Sequence, residues 1–292
     1  MSILTVPGAR LYYESVGSGP PLVLIPGGNG TAHIFGPIAQ QLAQRYTVIS
    51  YDRRGFARSR LDGEQEYAHR LQTDAHDAVR MIELVASSPA TVFGPSSGAI
   101  VGLQALAQRP DVFTRLVAYE PPAMKQLPDG ARWLALCDET YRIHKDDGIA
   151  PALDLFNRAM FPPQDVAFFA HLRDISQPAV RAAVEYWFEH ELRQYTAVDL
   201  PIEALLHSAD RIVVAAGRDS RGHPLHDVGT NLAAALGQTL TELPGGHTGY
   251  ATHAPAFASE LVDLLTPDAS VTSSTVAGPI DVEKRMTASS PG

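Results

Sequence analysis

The chain has 292 residues, of which 45% are hydrophobic, so it can bury a core of the size found in a single α/β domain. Its formal net charge of -9 and its lack of basic runs argue against nucleic acid and anionic membranes as partners. A single cysteine, Cys137, excludes an internal disulfide. The first residues lack a secretory signal pattern, and no run reaches the roughly 18 apolar residues of a membrane span. We therefore expect a cytoplasmic protein.

Short apolar runs alternate with amphipathic segments, and this pattern predicts a mostly parallel sheet with helices on both faces. Strands are predicted at residues 2–6, 11–15, 22–25, 46–51, 90–93, 116–119, 211–216 and 238–243. Helices are predicted at residues 34–44, 71–85, 99–108, 228–236 and 257–265. The segment DRRGFARSR, which contains Arg53 and Arg54, is predicted to form a solvated loop.

The strand pattern disappears between residues 124 and 207, where segments rich in Leu, Ala, Phe and Trp predominate. This change predicts a helical cap, 124–207, inserted after the sixth predicted strand into a core formed by 1–123 and 208–265. The remaining residues, 266–292, are rich in Ser, Thr, Pro and Gly, so we expect a disordered tail there.

The stretch VFGPSSGAIV contains a G-x-S-x-G motif centred on Ser96. A predicted strand precedes it and a predicted helix follows, the context in which such a serine is a nucleophile on a tight turn. The backbone N–H of Ser97 is then one oxyanion donor, and Gly28, in the PGGNG loop after the third strand, is the predicted second donor. The alternative is a glycine-rich packing turn with an ordinary serine.

A serine nucleophile requires a base and an acid that orients the base. His247, in LPGGHTGY after the last predicted strand, is the candidate base. Glu120 and Asp219 each follow a strand and are alternative acids, with Asp219 in the more common position in the chain. His223 and His226 form an H-x-x-H pair without accompanying ligands, so we predict a loop there and no metal site.

Together, the motifs IPGGNG, DRRGFARS, GPSSGA, YEPP and LPGGHTGY resemble the α/β-hydrolase superfamily, and more narrowly lactonases of the zearalenone hydrolase type. The resemblance extends to about residue 265, apart from the cap. It implies an α/β-hydrolase fold and a triad of Ser96, His247 and Glu120, with Asp219 as the reserve acid. It also implies that Trp187 is the counterpart of a cap tryptophan that touches the lactone, the alternative being a helix-core residue.

These observations predict a cofactor-independent serine hydrolase that cleaves an ester through an acyl-enzyme. The substrate is expected to be a small hydrophobic ester or lactone because the cap is rich in phenylalanine, at Phe156, Phe161, Phe168 and Phe169. A general carboxylesterase, a carbon-carbon bond hydrolase, a cofactor-free haloperoxidase and a non-catalytic receptor remain alternatives on the same fold. Both a monomer and a homodimer are compatible with the sequence.

Overall fold

A single sheet of nine strands organises the computed structural model, which describes residues 2–266. The predicted disordered tail therefore lies outside the described residues, apart from Thr266. The strands are β1 (Ser2–Val6), β2 (Ala9–Val16), β3 (Pro21–Leu24), β4 (Thr47–Tyr51), β5 (Arg60–Leu61), β6 (Ala90–Pro95), β7 (Phe113–Tyr119), β8 (Ile212–Gly217) and β9 (Thr241–Leu243).

The strands follow the order β1-β2-β4-β3-β6-β7-β8-β9, with β5 paired to β2. The contacts of β2 with β1, β4 and β5 are antiparallel, and all pairs from β4 across to β9 are parallel. The predicted mostly parallel sheet is thus confirmed. Because parallel strands share a direction, β3, β6, β7, β8 and β9 present their carboxyl ends at one edge of the sheet.

Within residues 2–266 the chain forms twelve α-helices. They are α1 (Gly36–Leu42), α2 (Arg70–Met81), α3 (Ser97–Gln108), α4 (Gly130–Asp146), α5 (Ile149–Met160), α6 (Pro163–Leu172), α7 (Pro178–His190), α8 (Leu192–Thr196), α9 (Ile202–Leu206), α10 (Pro224–Ala235), α11 (Gly249–Thr252) and α12 (Ala254–Leu265). No helix in this part of the chain is both long and apolar enough to cross a bilayer.

Helices cover both faces of the sheet, as the alternation of side chains along a central strand requires. Val92 and Phe93 are adjacent in β6 and both fully buried, yet they belong to different core clusters. Val92 belongs to the cluster that contains α2 and α3, and Phe93 to the cluster that contains α1 and α12. Because both faces of the central strands are buried, these strands are continuous apolar runs in the sequence.

Six helices, α4 to α9, lie between β7 and β8, and we call residues 124–207 the cap. Several boundaries differ from the sequence prediction. Helix α2 ends at Met81 and the chain continues as one wider turn to Ala86, whereas α10 begins at Pro224, before the predicted start. The prediction of a loop at 52–60 missed β5, which begins at Arg60.

Candidate active site

Ser96 lies on a sharp turn between β6 and α3. Its backbone adopts φ 57° and ψ -126°, a conformation that non-glycine residues rarely occupy, and its N–H donates to the Tyr119 carbonyl oxygen at 2.8 Å. The side chain lines a cavity between the sheet edge and the cap. The strained turn therefore exposes the hydroxyl to that cavity, as a nucleophile requires.

The glycines on either side of Ser96 are required by close backbone contacts. A Cβ on Gly94 would lie 2.4 Å from the carbonyl oxygen of Gly98. A Cβ on Gly98 would lie 2.1 Å from the carbonyl oxygen of Ile25, next to the end of β3. Helix α3 can therefore approach β3 and β6 only because both positions lack a side chain.

Glu120 and His247 form a buried hydrogen-bonded pair. The Nδ1 atom of His247 lies 2.7 Å from Oε2 of Glu120, and the two side chains are 3% and 1% exposed. The second carboxylate oxygen of Glu120 accepts from the Gly217 N–H at 2.8 Å. Because a carboxylate only accepts, this contact assigns the hydrogen to Nδ1 and leaves Nε2 as the basic nitrogen of His247.

Asp219, the reserve acid, is placed differently. It follows β8 as expected, but it is exposed, and its carboxylate makes no hydrogen bond or ion pair with another residue in the described range. Glu120 directly follows β7 with φ 46°, a left-handed conformation that turns its side chain toward His247. The structure thus brings Glu120, rather than Asp219, to the histidine.

The loop that carries His247 is fixed by a cap residue that the sequence analysis missed. Asp165, in the first turn of α6, is 1% exposed and accepts from the backbone N–H groups of His247 and Thr248, both at 2.9 Å. Its Oδ1 also accepts from the Thr248 hydroxyl. A lone aspartate 82 residues before the histidine gives no sequence signal, because only the fold brings them together.

Ser96 and His247 line the same cavity, although Ser96 Oγ makes no hydrogen bond with another described residue. Hydrogen bonds of this kind often tighten only when a substrate is bound. The His247 ring packs against Phe161, with centroids 4.6 Å apart, and Tyr119 donates its hydroxyl to the Gly246 carbonyl oxygen at 2.5 Å. Burial raises the pKa of Tyr119 well above its usual value, so this hydroxyl remains a donor.

The two predicted oxyanion donors, Gly28 and Ser97, both line the cavity. Neither backbone N–H donates to another residue among those described. Ser97 is the first residue of α3, where N–H groups have no partner within the helix. A Cβ on Gly28 would lie 2.7 Å from Nε1 of Trp187, so the cap tryptophan covers the glycine at contact distance. Trp187 is therefore part of the cavity wall as well as of the helix packing.

Arg53, predicted to be solvated, is instead 1% exposed and joins three parts of the site. It donates from Nη2 to the Gly27 carbonyl oxygen at 2.8 Å and pairs with both oxygens of Glu191, which lies between α7 and α8. It also reaches Asp74 of α2 at 2.6 Å. The prediction was wrong because DRRG looks polar in isolation, whereas the partners lie far away in sequence.

The charges of this cluster are balanced. Arg53 and Arg70 face Asp74 and Glu191, and all four side chains are at most 2% exposed. Burial alone would raise the pKa of Asp74, but Arg70 and Arg53 hold it below its usual value. Burial raises the pKa of Glu191, opposed mainly by Arg53. Arg54 is also buried, in a separate pair with Asp77 at 2.7 Å.

Three of the four predicted cap phenylalanines, Phe156, Phe161 and Phe169, line the cavity, whereas Phe168 does not. The H-x-x-H segment is not a loop, because His226 lies in the first turn of α10, where Nε2 contacts Glu242 at 2.9 Å. No group of three or more potential metal-ligating side chains occurs within residues 2–266.

Comparisons with known proteins identify the family and the fold. The family model described as alpha/beta hydrolase fold matches residues 20–254. The uncharacterized hydrolase YraK of Bacillus subtilis (strain 168) is 32% identical over 266 residues, covering 90% of this chain and 94% of that protein. The zearalenone hydrolase of Bionectria ochroleuca is 32% identical over 123 residues, 41% of this chain and 47% of that protein. The crystal structure of the enol-lactonase from Burkholderia xenovorans LB400 superposes with a TM-score of 0.66 at 18% identity, covering 90% of this chain and 99% of that chain.

Proposed function

Because the chain belongs to the α/β-hydrolase family, we propose that it is a serine hydrolase that cleaves a carboxylic ester, with a hydrophobic lactone of the zearalenone type as substrate. The observation that carries the proposal is the 2.7 Å contact between Glu120 and His247, whose ring lines the same cavity as the Ser96 hydroxyl. A serine nucleophile, a histidine base and an acid that orients the base together form the machinery of acyl transfer.

In the proposed reaction, Nε2 of His247 takes the hydroxyl proton of Ser96 while Oγ attacks the ester carbonyl carbon. Glu120 keeps the histidine ring oriented and stabilises its positive charge. The oxyanion of the tetrahedral intermediate accepts from the N–H groups of Gly28 and Ser97. Both amides lack protein partners among the described residues, so they need not break other bonds to do so.

Collapse of this intermediate expels the alcohol oxygen, which takes the proton from Nε2 of His247 and leaves an acyl group on Ser96. Water then attacks the acyl carbon while His247 again accepts a proton, the bond to Ser96 Oγ breaks, Oγ takes that proton back from Nε2, and the acid is released. If the substrate is a lactone, the alcohol and the acid belong to one molecule. The product is then a single hydroxy acid, heavier than the substrate by one water.

The preference for a hydrophobic substrate rests on the cap wall of the cavity, where Phe156, Phe161, Phe169 and Trp187 face the catalytic serine. Such walls contribute binding energy mainly by removing apolar surface from water. The similarity to the Bionectria zearalenone hydrolase and the fold shared with the Burkholderia enol-lactonase support a lactone as the ester.

The test is incubation with a resorcylic macrolactone of the zearalenone type and with an aryl ester such as p-nitrophenyl butyrate, followed by mass spectrometry. We expect addition of one water, and a loss of at least about 10⁴-fold in kcat for Ser96→Ala. Ser97→Ala is the matched control, since only its backbone N–H takes part, and it should retain activity.

Each outcome has a distinct meaning. Cleavage of aryl esters alone keeps the serine hydrolase and discards the macrolactone. Full activity of Ser96→Ala would overturn the proposed nucleophile. Binding detected as thermal stabilisation, without turnover of any ester, would favour a receptor instead.

A further inference from the structure

Arg173 is a cationic side chain on the wall of the catalytic cavity, directly after the last residue of α6. Its guanidinium carbon lies 4.2 Å from the ring centroid of Phe169 and 5.9 Å from that of Trp187. The same arginine and tryptophan also line a second, more apolar cavity, to which α7 contributes several side chains. Arg173 is therefore shared by the catalytic cavity and this second cavity.

This guanidinium has no acidic partner within the described range of the chain. Its one side-chain hydrogen bond is a long contact of 3.4 Å from Nη1 to Oδ1 of Asn157, and no carboxylate oxygen lies within ion-pair distance. Burial without a counter-charge lowers the pKa of Arg173 to about 10, so it remains charged at neutral pH. An unpaired charge at a partly buried position is costly, and such a group in a cleft is a candidate binding residue.

Three buried carboxylates surround the site, yet each is committed to other donors. Glu120 accepts from His247 and Gly217, and Asp165 accepts from the loop that carries His247. Glu191 lines the same cavity but is bound by Arg53 and by a second buried arginine. None of the three can neutralise Arg173 without giving up a bond, so no carboxylate that lines this site among residues 2–266 supplies the complementary negative charge.

We propose that Arg173 binds a carboxylate carried by the substrate, in addition to the ester or lactone group that Ser96 attacks. This inference rests on the proposed ester hydrolysis, and it favours esters and lactones that have an apolar body and a carboxylate over neutral lactones of the zearalenone type. The guanidinium carbon of Arg173 lies over the Phe169 ring, and a planar guanidinium with no acidic partner can bind both oxygens of a carboxylate. The phenylalanines of the cavity would contact the hydrocarbon between the two groups.

The experiment compares monomethyl adipate, which has one carboxylate, with dimethyl adipate, which is nearly isosteric and neutral. Binding to the Ser96→Ala variant is followed by tryptophan fluorescence, since Trp187 lies next to Arg173. We expect monomethyl adipate to bind about tenfold or more tightly, as charge-assisted hydrogen bonds predict. Adding Arg173→Gln should remove this preference, and Arg173→Lys should restore part of it.

Arg181→Gln is the matched control, because Arg181 is an exposed arginine of α7 and its loss changes the net charge equally. It should leave the preference intact. Equal binding of the two esters, or a preference that survives Arg173→Gln, would overturn the proposal. Unchanged melting temperatures of the variants would exclude a folding defect as the cause of any loss of binding.

The wild-type protein separates this inference from the proposed function. Cleavage of both methyl esters at equal kcat/KM, dependent on Ser96, would support the hydrolase and reject the carboxylate site. Arg173-dependent binding of monomethyl adipate without cleavage of either ester would support the carboxylate site and count against the hydrolase.

Discussion

The three candidates for the catalytic triad lie in turns or loops that follow core strands, whereas Asp165, Arg173 and Glu191 reach the same site from the cap. The core residues are held by backbone geometry at the sheet edge, as the left-handed conformations of Ser96 and Glu120 illustrate. The cap residues contact the loops of the site or line its cavity, although they lie far from those loops in sequence. If the proposed function is correct, the core supplies the reaction chemistry, and the cap both positions that chemistry and selects the substrate.

The largest expected effect is on the core side, at the triad acid. Glu120→Gln should lower kcat by roughly 10³- to 10⁴-fold, because one amide cannot accept from both the histidine Nδ1–H and the Gly217 N–H. Asp219→Asn should leave kcat unchanged, since that side chain is exposed and the histidine Nδ1 contacts Glu120 instead. Steady-state kinetics with an aryl ester measures both. A larger loss for Asp219→Asn would mean that the reserve acid is the true one.

A smaller effect should come from the cap, at Asp165. Asparagine has one acceptor oxygen where the carboxylate accepts from two backbone N–H groups and a hydroxyl, so Asp165→Asn should loosen the His247 loop. We expect a fall in kcat of about tenfold and a loss of about 2 to 3 kcal/mol in the free energy of unfolding. KM should change little, since Asp165 does not line the cavity.

Asp154→Asn is the matched control for this prediction, because Asp154 is an exposed aspartate of the neighbouring helix α5. It should affect neither quantity. A rise in KM with unchanged kcat for Asp165→Asn would contradict this division of roles, because it would mean that the cap binds substrate without positioning His247.

The smallest expected effect is a pH dependence of the contact between cap and core. The ring of His190 in α7 stacks on Tyr67, with centroids 3.7 Å apart. Burial, aided by the charge of Arg70, lowers the pKa of His190 below 6.5. The unfolded chain therefore binds more protons just below pH 6.5, so this contribution to stability is complete above that pH and is lost as the pH falls through the folded-state pKa.

Urea unfolding at a series of pH values measures how the free energy of unfolding changes with pH. His190→Phe, which retains a stacking ring, should remove the part of this pH dependence that comes from His190. A slope that remains unchanged in the variant would assign the pH dependence to another group.

Much of the fold could be predicted from sequence because its signals are local. Apolar runs mark the central strands, and the small residues around Ser96 mark a turn whose close contacts exclude side chains. The sequence also indicated Glu120 and His247, although chain order alone slightly favoured Asp219 and only the resemblance favoured Glu120. The structure distinguishes the two acids, because Glu120 is buried and contacts both His247 and Gly217, whereas Asp219 is exposed.

The remaining site residues could not be predicted because their roles depend on partners that are distant in sequence. Arg53 is 138 residues from Glu191, and no periodicity or motif links the two. Charged residues are usually solvated, so a pair of arginines after a strand favours an exposed loop until the partners are known. Boundary errors, such as the late predicted start of α10, arise because proline at a first helical position was not used as a signal.

The hydrogen bond from Arg53 to the Gly27 carbonyl oxygen has a consequence for engineering and for evolution. The same guanidinium binds both the loop that carries Gly28, a proposed oxyanion donor, and the cap residue Glu191, so the cap cannot be exchanged independently of the core. A foreign cap grafted onto this core without a carboxylate at that position would leave buried arginine charge uncompensated, at a cost of about 3 to 5 kcal/mol. New specificities should therefore be reached more readily by exchanging the side chains that face the cavity than by exchanging the cap itself.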